Sequence, residues 1–250
     1  RQADKYRVPR IAFVNKMDRI GADFPRAVRM LAERLGTNAV PIQLPYGVED
    51  DFLGVLDLVS MQAIVYRDDR LGAQFEVEPI PASLRSDAER ARARMLESLA
   101  ELDEAVFECY FGDGQFSPEA IRTALRKATL RLAITPVLCG AAFRNKGVQP
   151  LLDAVVDYLP SPLDLPPIPG THPKTGAADQ RAADPAGPFA ALAFKIMADP
   201  YVGQLAFFRV YSGALESGAY VYNSTKGVRE RVGRLLQMHA NKREEIKRVE

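Results

Sequence analysis

Four apolar residues in succession, Ile11-Ala12-Phe13-Val14, follow Pro9-Arg10 and end at Asn15-Lys16-Met17-Asp18. An uninterrupted run of this length, without polar alternation, predicts a strand buried on both faces of a parallel sheet. Phe24, Val28, Leu31 and Leu35 then recur at helical spacing, with Asp23 at the N-cap position, Pro25 in the first turn and Gly36 at the stop. Strand, polar loop and helix succeed one another, and Pro41-Ile42-Gln43-Leu44-Pro45 reads as a further short strand.

From Tyr46 the pattern changes. Gly54–Val59 and Ala63–Tyr66 predict an antiparallel pair with Arg67-Asp68-Asp69-Arg70 as its turn. Leu84 to Tyr110 predicts one long helix with Met95, Leu99, Leu102 and Val106 on its apolar side, and another helix runs from Pro118 to Thr129. The first pattern then returns: Pro136-Val137-Leu138-Cys139 is a buried-strand run and Gly140-Ala141-Ala142-Phe143 a small-residue turn. Val148, Leu151, Leu152, Val155, Val156 and Leu159 trace a helix stopped by Pro160. Two strand-loop-helix units therefore flank an insert. Right-handed crossovers place both strands side by side in one parallel sheet, so that both post-strand loops open at the same edge, where α/β folds bind ligands.

Residues 163–187, rich in Pro, Gly, Ala and Asp, read as a linker. Beyond it the period becomes two: Leu192, Phe194 and Ile196 alternate with smaller or polar residues, and Leu205–Tyr211, Tyr220–Tyr222 and Val228–Met238 follow. This predicts an all-β module, a small barrel left incomplete at Glu250. The organisation is 1–45 and 131–162 for the α/β domain, 46–130 for an inserted α+β subdomain, 163–187 for the linker and 188–250 for the partial barrel.

Composition narrows the function classes. With 47% hydrophobic and 26% charged residues in 250, the chain is globular, not disordered. Lys plus Arg total 33 and Asp plus Glu 32, which excludes a uniformly polybasic or acidic chain. Two local excesses remain. Residues 85–108 hold seven acidic and four basic residues, a solvated face or an acidic docking face for another protein. Residues 223–250 hold eight basic and four acidic residues, including Arg229, Arg231, Lys242 and Arg243. Arg229 and Arg231 share one face of a strand, a spacing suited to phosphate contacts with folded RNA, whereas charge alone is equally compatible with a solvated barrel face.

No apolar run approaches the roughly 18–20 residues that span a bilayer, and the opening Arg1-Gln2-Ala3-Asp4-Lys5 lacks a signal peptide, so a cytoplasmic location without membrane contact is expected. Cys109 and Cys139 lack a paired spacing, and His172 and His239 lie far apart, so neither a zinc site nor a Ser/His/Asp hydrolase site is indicated. The chain opens without Met and closes on a charged run, the pattern of a piece of a longer protein.

The candidate chemistry lies at the two loops. A carboxylate such as Asp18 at the end of a strand can accept two parallel N–H bonds, which guanine offers at N1 and its exocyclic amine and adenine does not. A site built this way rejects the analogue lacking the partner by about 10⁴. Lys16 can lay its methylene stem over a base plane while its ammonium stays wet. At Gly140, Ala141 and Ala142 the small residues allow close backbone approach to a flat ligand, and a main-chain N–H there can donate to a base carbonyl. Against this stands a plainer role for each loop: Asp18 as a cap, Lys16 as a solvated charge, and an ordinary post-strand turn.

Several long runs decide between the two. Asn15-Lys16-Met17-Asp18-Arg19, Cys139-Gly140-Ala141-Ala142-Phe143-Arg144-Asn145-Lys146-Gly147-Val148-Gln149, Leu192-Ala193-Phe194-Lys195-Ile196, Phe208-Arg209-Val210-Tyr211-Ser212-Gly213 and Met238-His239-Ala240-Asn241-Lys242-Arg243-Glu244-Glu245 closely resemble bacterial translation elongation factor G, in the same order. The resemblance implies part of a P-loop-type GTPase domain with an inserted subdomain, followed by part of a β barrel. It also implies a ribosome-dependent GTPase that drives translocation of tRNA and mRNA and assists ribosome recycling. On this resemblance Asp18 reads guanine N1 and N2, Asn15 braces its loop and approaches N7, and Lys16 packs on base and sugar. Ala141 stands where the family usually has Ser and offers no hydroxyl, leaving the main-chain donor of Ala142. The implied cofactor is GTP or GDP, and the implied partners are ribosomal RNA and stalk proteins, with the protein a monomer. The chain carries neither a Gly-x-x-x-x-Gly-Lys-Ser/Thr loop nor an Asp-x-x-Gly-His run. In the family these parts, through which Mg2+ is held, precede the segment equivalent to Arg1. No catalytic residue is therefore assigned, and the piece alone is expected to hydrolyse no GTP. Ribosome-protection proteins and class-3 release factors share the architecture, and a non-enzymatic ribosome- or RNA-binding module with a vestigial guanine loop is the reading from another class.

Overall fold

The computed structural model describes residues 2–67, 74–112, 116–173, 175–199, 203–239 and 242–250. The chain divides into two units, Arg1–Pro160 and Ser161–Glu250.

The first unit is built on a three-stranded parallel sheet. After a short helix α1 (Gln2–Lys5) come β1 (Ala12–Val14), α2 (Phe24–Leu35) and β2 (Ala39–Pro41). Next are β3 (Gln43–Tyr46), β4 (Gly54–Asp57), β5 (Gln62–Val65) and β6 (Glu76–Pro79), then α3 (Ala82–Ala100), α4 (Glu104–Phe111), α5 (Pro118–Leu130), β7 (Thr135–Cys139) and α6 (Val148–Tyr158). The parallel sheet has the order β1-β7-β2, with Val14 beside Cys139 and Val40 beside Pro136. All five residues of β7 are buried, as a central strand covered on both sides requires. β1 differs from expectation. Among the described residues it pairs with β7 alone and its three residues are only half-buried.

Local signals place the helix ends. The Asp23 carboxylate accepts the Arg26 N–H at 2.8 Å, Pro25 sits in the first turn, and Gly36 closes α2 in a left-handed conformation. Phe24 faces the core but Leu35, the last residue of α2, is largely exposed. The run 41–45 does not form one strand. Its first residue ends β2, Ile42 donates to the Val137 carbonyl, and from Gln43 the chain joins a second sheet.

That second sheet is antiparallel, in the order β3-β4-β5-β6. The expected β4–β5 pair is present, but its turn is Leu58–Met61 and not 67–70. The Asp57 carboxylate accepts the Ser60 N–H at 2.9 Å and Met61 adopts a positive φ, which closes the connection early. Arg67 instead pairs with Glu76 and Glu78 on β6, and residues 68–70 lie outside those described. The half-buried Arg92 of α3 donates to the carbonyls of Leu58 and Val59, tying helix to turn, and burial lowers its pKa.

The long helix expected over 84–110 is two helices. Leu102 and Asp103 both donate to the Leu99 carbonyl, ending α3, and the Asp103 carboxylate then accepts the Ala105 N–H and starts α4. A capping Asp with its own acceptor favours a new helix start over a helix interior. Met95 and Leu99 of α3, Ile121 and Leu125 of α5, Leu58 of the turn and Val40, Ile42 and Leu138 of the parallel-sheet region form one buried cluster. Helices α3 and α5 thus share a core with the parallel sheet, while Leu56, Ala63 and Val65 of β4 and β5 form a smaller cluster of their own; each such large side chain contributes about 1.5–3 kcal/mol by leaving water.

The second unit consists of two-stranded ladders. The stretch 163–187, read as a linker, carries a hairpin of β8 (Ile168–Thr171) and β9 (Ala178–Arg181). Then follow β10 (Ala190–Asp199) with β11 (Gly203–Ser212), β12 (Leu215–Glu216), β13 (Tyr220–Asn223) with β14 (Val228–Arg231), β15 (Leu235–His239) with β16 (Lys242–Ile246), and β17 (Arg248–Val249), which pairs with β12. The run 228–238 is two strands, broken at Val232–Arg234. Val232 donates to Ala219 and Gly218 donates to the carbonyls of Val232 and Gly233, so this stretch bonds to another segment instead of continuing its ladder. Leu192, Phe194 and Ile196, whose alternation predicts a strand, lie on β10 and are exposed.

Two substitutions separate core from cap. Leu138→Ala removes a fully buried side chain from the central strand and should lower unfolding free energy by about 2–5 kcal/mol. Asp103→Ala removes one cap and should cost about 1 kcal/mol in the same denaturant titration.

Candidate functional site

β1 and β7 are parallel and in register at Val14 and Cys139, so the residues after both leave the sheet at one edge. Gly140 donates to the Val14 carbonyl at 3.1 Å and its own carbonyl accepts from Met17 at 3.1 Å, continuing the ladder into the loops. Asn15 then joins the two. Its Oδ1 accepts the Lys16 N–H at 2.8 Å and the Ala142 N–H at 2.9 Å, across 127 residues of chain. Lys16 adopts φ 65° and is exposed, Met17 is buried beneath the loop, and Asp18 stands at the rim. A 3₁₀ turn over Ala142–Arg144 forms the facing rim.

Among the six residues expected here, Asn15, Lys16, Asp18 and Ala142 lie at the surface where the loops meet. Gly140 and Ala141 do not: both are buried. An added Cβ at Gly140 would sit 2.5 Å from the Lys146 carbonyl oxygen and 2.6 Å from the Phe13 ring. The protein's own packing therefore already requires a small residue at Gly140. The Ala142 N–H, expected to point at a base carbonyl, is held by Asn15.

Four residues escaped the sequence reading. Arg144 places its Nε 3.1 Å from Asp18 Oδ2, with 46% of its own side chain and 16% of the Asp18 side chain exposed. The carboxylate thus already faces an N–H donor. A half-exposed pair of this kind contributes up to about 1 kcal/mol, which a ligand edge with two donors can replace. Phe143 is wholly exposed beside it, the position of an aromatic ring available for stacking. Lys146 is buried and donates to the Phe52 carbonyl at 3.0 Å, while the Glu49 carboxylate accepts the Gly21 N–H at 2.7 Å. A basic side chain inside a small-residue turn was the available signal for Arg144 and Lys146; nothing local marked Glu49.

Beneath both loops lies one apolar bed of Met17, Phe24, Phe52, Val55, Val137, Cys139 and Ala141. Burial pushes the Cys139 thiol well above its ordinary range, which makes it an inert filler. Tyr66, raised to about 12 by burial, donates its hydroxyl to Gln149 Oε1 at 3.0 Å. Among the described residues no group of three or more His, Cys, Asp or Glu side chains is placed to hold a metal ion, and no described helix is long and apolar enough to cross a membrane.

In the second unit Arg229 and Arg231 do share one exposed face of β14, opposite Tyr222 and Tyr220. The Arg229 guanidinium lies 5.4 Å from the Tyr220 ring centre, and Arg231 Nε donates to the Gly218 carbonyl. Lys242 and Arg243 are consecutive on β16, a different ladder, and so point to opposite faces.

A parallel α/β sheet with two adjoining loops at one edge, followed in the chain by a β-rich module, is the arrangement of a GTPase domain joined to a β domain. The chain belongs to the family of the elongation factor Tu GTP binding domain, whose family model matches residues 1–161. Residues 188–250 match the model of elongation factor G domain 2. Its domains are thus of the translational GTPase type, and guanine nucleotide is the ligand class of the first. A crystal structure of a protein from Thermus thermophilus matches with a TM-score of 0.76 and 27% identity over 99% of this chain and 34% of that one. The chain spans about a third of that protein's length.

The Asn15 bridge is directly measurable. Asn15→Ala removes the Ala142 acceptor, and the Ala142 amide should exchange with deuterium on the order of tenfold faster, as losing a bond of about 1 kcal/mol implies.

Proposed function

We propose that this chain is the guanine-recognition half of the GTPase domain, together with the start of domain 2, of elongation factor G. The whole protein would use GTP on the ribosome to translocate tRNA and mRNA and to assist recycling. The observation that carries the reading is the bond from Ala142 to Asn15, which puts the Asp18 rim and the 142–144 turn at one edge of the sheet. The match of residues 188–250 to elongation factor G domain 2 supports this factor over others of the same architecture.

In this reading the residues fit the nucleotide by their chemistry. Asp18 exchanges the single Arg144 donor for the N1–H and N2–H of guanine. Lys16, lifted by its left-handed backbone, covers one face of the base with its methylene stem, and Phe143 stands ready at the opposite rim. Asn15 holds the loops together while its amide nitrogen reaches N7. Phosphate and Mg2+ contacts belong to other parts of the protein, and when bound the metal neutralises phosphate charge. The segment by itself then recognises a base without hydrolysing GTP. Arg229 and Arg231, with the two tyrosines beside them, are assigned to ribosomal RNA, and of Lys242 and Arg243 only one can join any single surface. Domain limits follow the segments 1–45, 46–130, 131–162 and 188–250, and the protein acts as a cytoplasmic monomer.

Asp18→Asn tests the base reading. An amide offers one acceptor and one donor, the complement of xanthine N1–H and O2, and no longer of guanine. GDP affinity of the full-length protein should fall on the order of 10²–10⁴ while xanthosine diphosphate affinity rises. Equal loss of both would contradict the reading. For the β module, reversing the charge at Arg229 and Arg231 should weaken ribosome binding and flatten its salt dependence, whereas an unchanged slope returns both to a solvated surface.

A further inference from the structure

One short turn touches both loops of the candidate site and belongs to neither. Residues 47–52 connect β3 to β4, and their geometry is costly. Gly47 has φ 78°, and an added Cβ there would lie 1.9 Å from the Asp51 carbonyl oxygen, so only glycine closes the turn. Glu49 also adopts a positive φ, 57°, which an ordinary side chain avoids.

The turn holds both loops. Glu49 grips the first loop on either side of Asp18: its N–H donates to the Met17 carbonyl at 2.8 Å, and its Oε1 accepts from Gly21 at 2.7 Å. Three residues later the Phe52 ring is buried in the bed that also contains Met17 and Ala141. The Phe52 carbonyl receives the ammonium of Lys146, which projects from the second loop and is 3% exposed. A lysine this buried persists only where hydrogen bonds offset its desolvation. Lys146 is also locked to its own loop, exchanging main-chain bonds with Ala141 in both directions. The turn continues into the antiparallel sheet through Leu53, whose N–H donates to Tyr46 and whose carbonyl accepts from Tyr66. Tyr66 in turn donates to Gln149 at the start of α6.

We propose that Glu49 and Lys146 are positioning residues for base recognition: through the 47–52 turn they fix the 15–18 loop relative to the 140–145 loop. Guanine discrimination is thereby coupled to the sheet β3–β6. This rests on the guanine reading above and adds to it residues outside the two loops that set its selectivity. Asp18 can hold two donors of one base edge only while its backbone is stationary with respect to the opposite rim. The Asn15 bond fixes the roots of the loops, and Glu49 fixes the far end of the first one at Gly21.

The test uses full-length protein and two fluorescent nucleotides, GDP and IDP, which differ by the 2-amino group. The ratio of their affinities reports the second bond to Asp18, and thermal melting is recorded on the same samples. Glu49→Ala is expected to lower the GDP-to-IDP preference about tenfold, the loss of one positioning hydrogen bond. Glu49→Gln, which keeps Oε1 as an acceptor, is expected to restore it, and Lys146→Met to lower it in the same sense. If Glu49→Ala does not fold, Glu49→Asp serves: it tolerates the left-handed backbone and withdraws the acceptor by one methylene. A lowered melting temperature with an unchanged preference would overturn the positioning role and leave the guanine reading intact. A wild-type protein that binds GDP and IDP equally would overturn both.

Discussion

When Val14 and Cys139 lie side by side in parallel strands, the chain has little freedom in where its next residues go. Both loops leave the same edge, their first hydrogen bonds extend the ladder through Gly140, and the Asn15 carboxamide reaches the Ala142 N–H. The parallel register therefore fixes the site before any ligand contact is considered. It also explains why buried Gly140 is small: a side chain there would collide with Phe13 and with the returning Lys146 backbone, and the second loop could not fold over the end of the sheet.

The parallel architecture was legible because it rests on local pattern. Uninterrupted apolar runs mark β1 and β7, Asp23 and Gly36 mark the ends of α2, and crossover handedness brings the two strands together. Where competing local signals coexist, the pattern misled. The apolar spacing runs through residues 84–110, yet Asp103 caps a new helix within it. The apolar alternation of Leu192, Phe194 and Ile196 marks strand β10 but not what covers it, and all three are exposed. Periodicity records what a residue is suited to meet and does not say what it meets.

The site was legible only in part, for a related reason. Asp18 and Asn15 carry their chemistry in their own side chains, so sequence points to them. Ala141 lies in the second loop but is buried, a placement that the small-residue pattern of the turn does not reveal. Glu49 and Lys146 act through backbone carbonyls and amides, which carry no sequence identity, and their partners are 28 and 94 residues away. The insert is thus no passive decoration of the sheet. It shares the main apolar cluster with β2 and β7, and its first turn holds both loops.

The central claim is that the 15–18 and 140–145 loops hold a single guanine between them. Hydrogen–deuterium exchange of the full-length protein, with and without GDP, tests it most directly. The account predicts that GDP slows exchange in both segments together, at the same nucleotide concentration, and that ADP slows neither. Protection of one loop without the other, or equal protection by ADP, would contradict it.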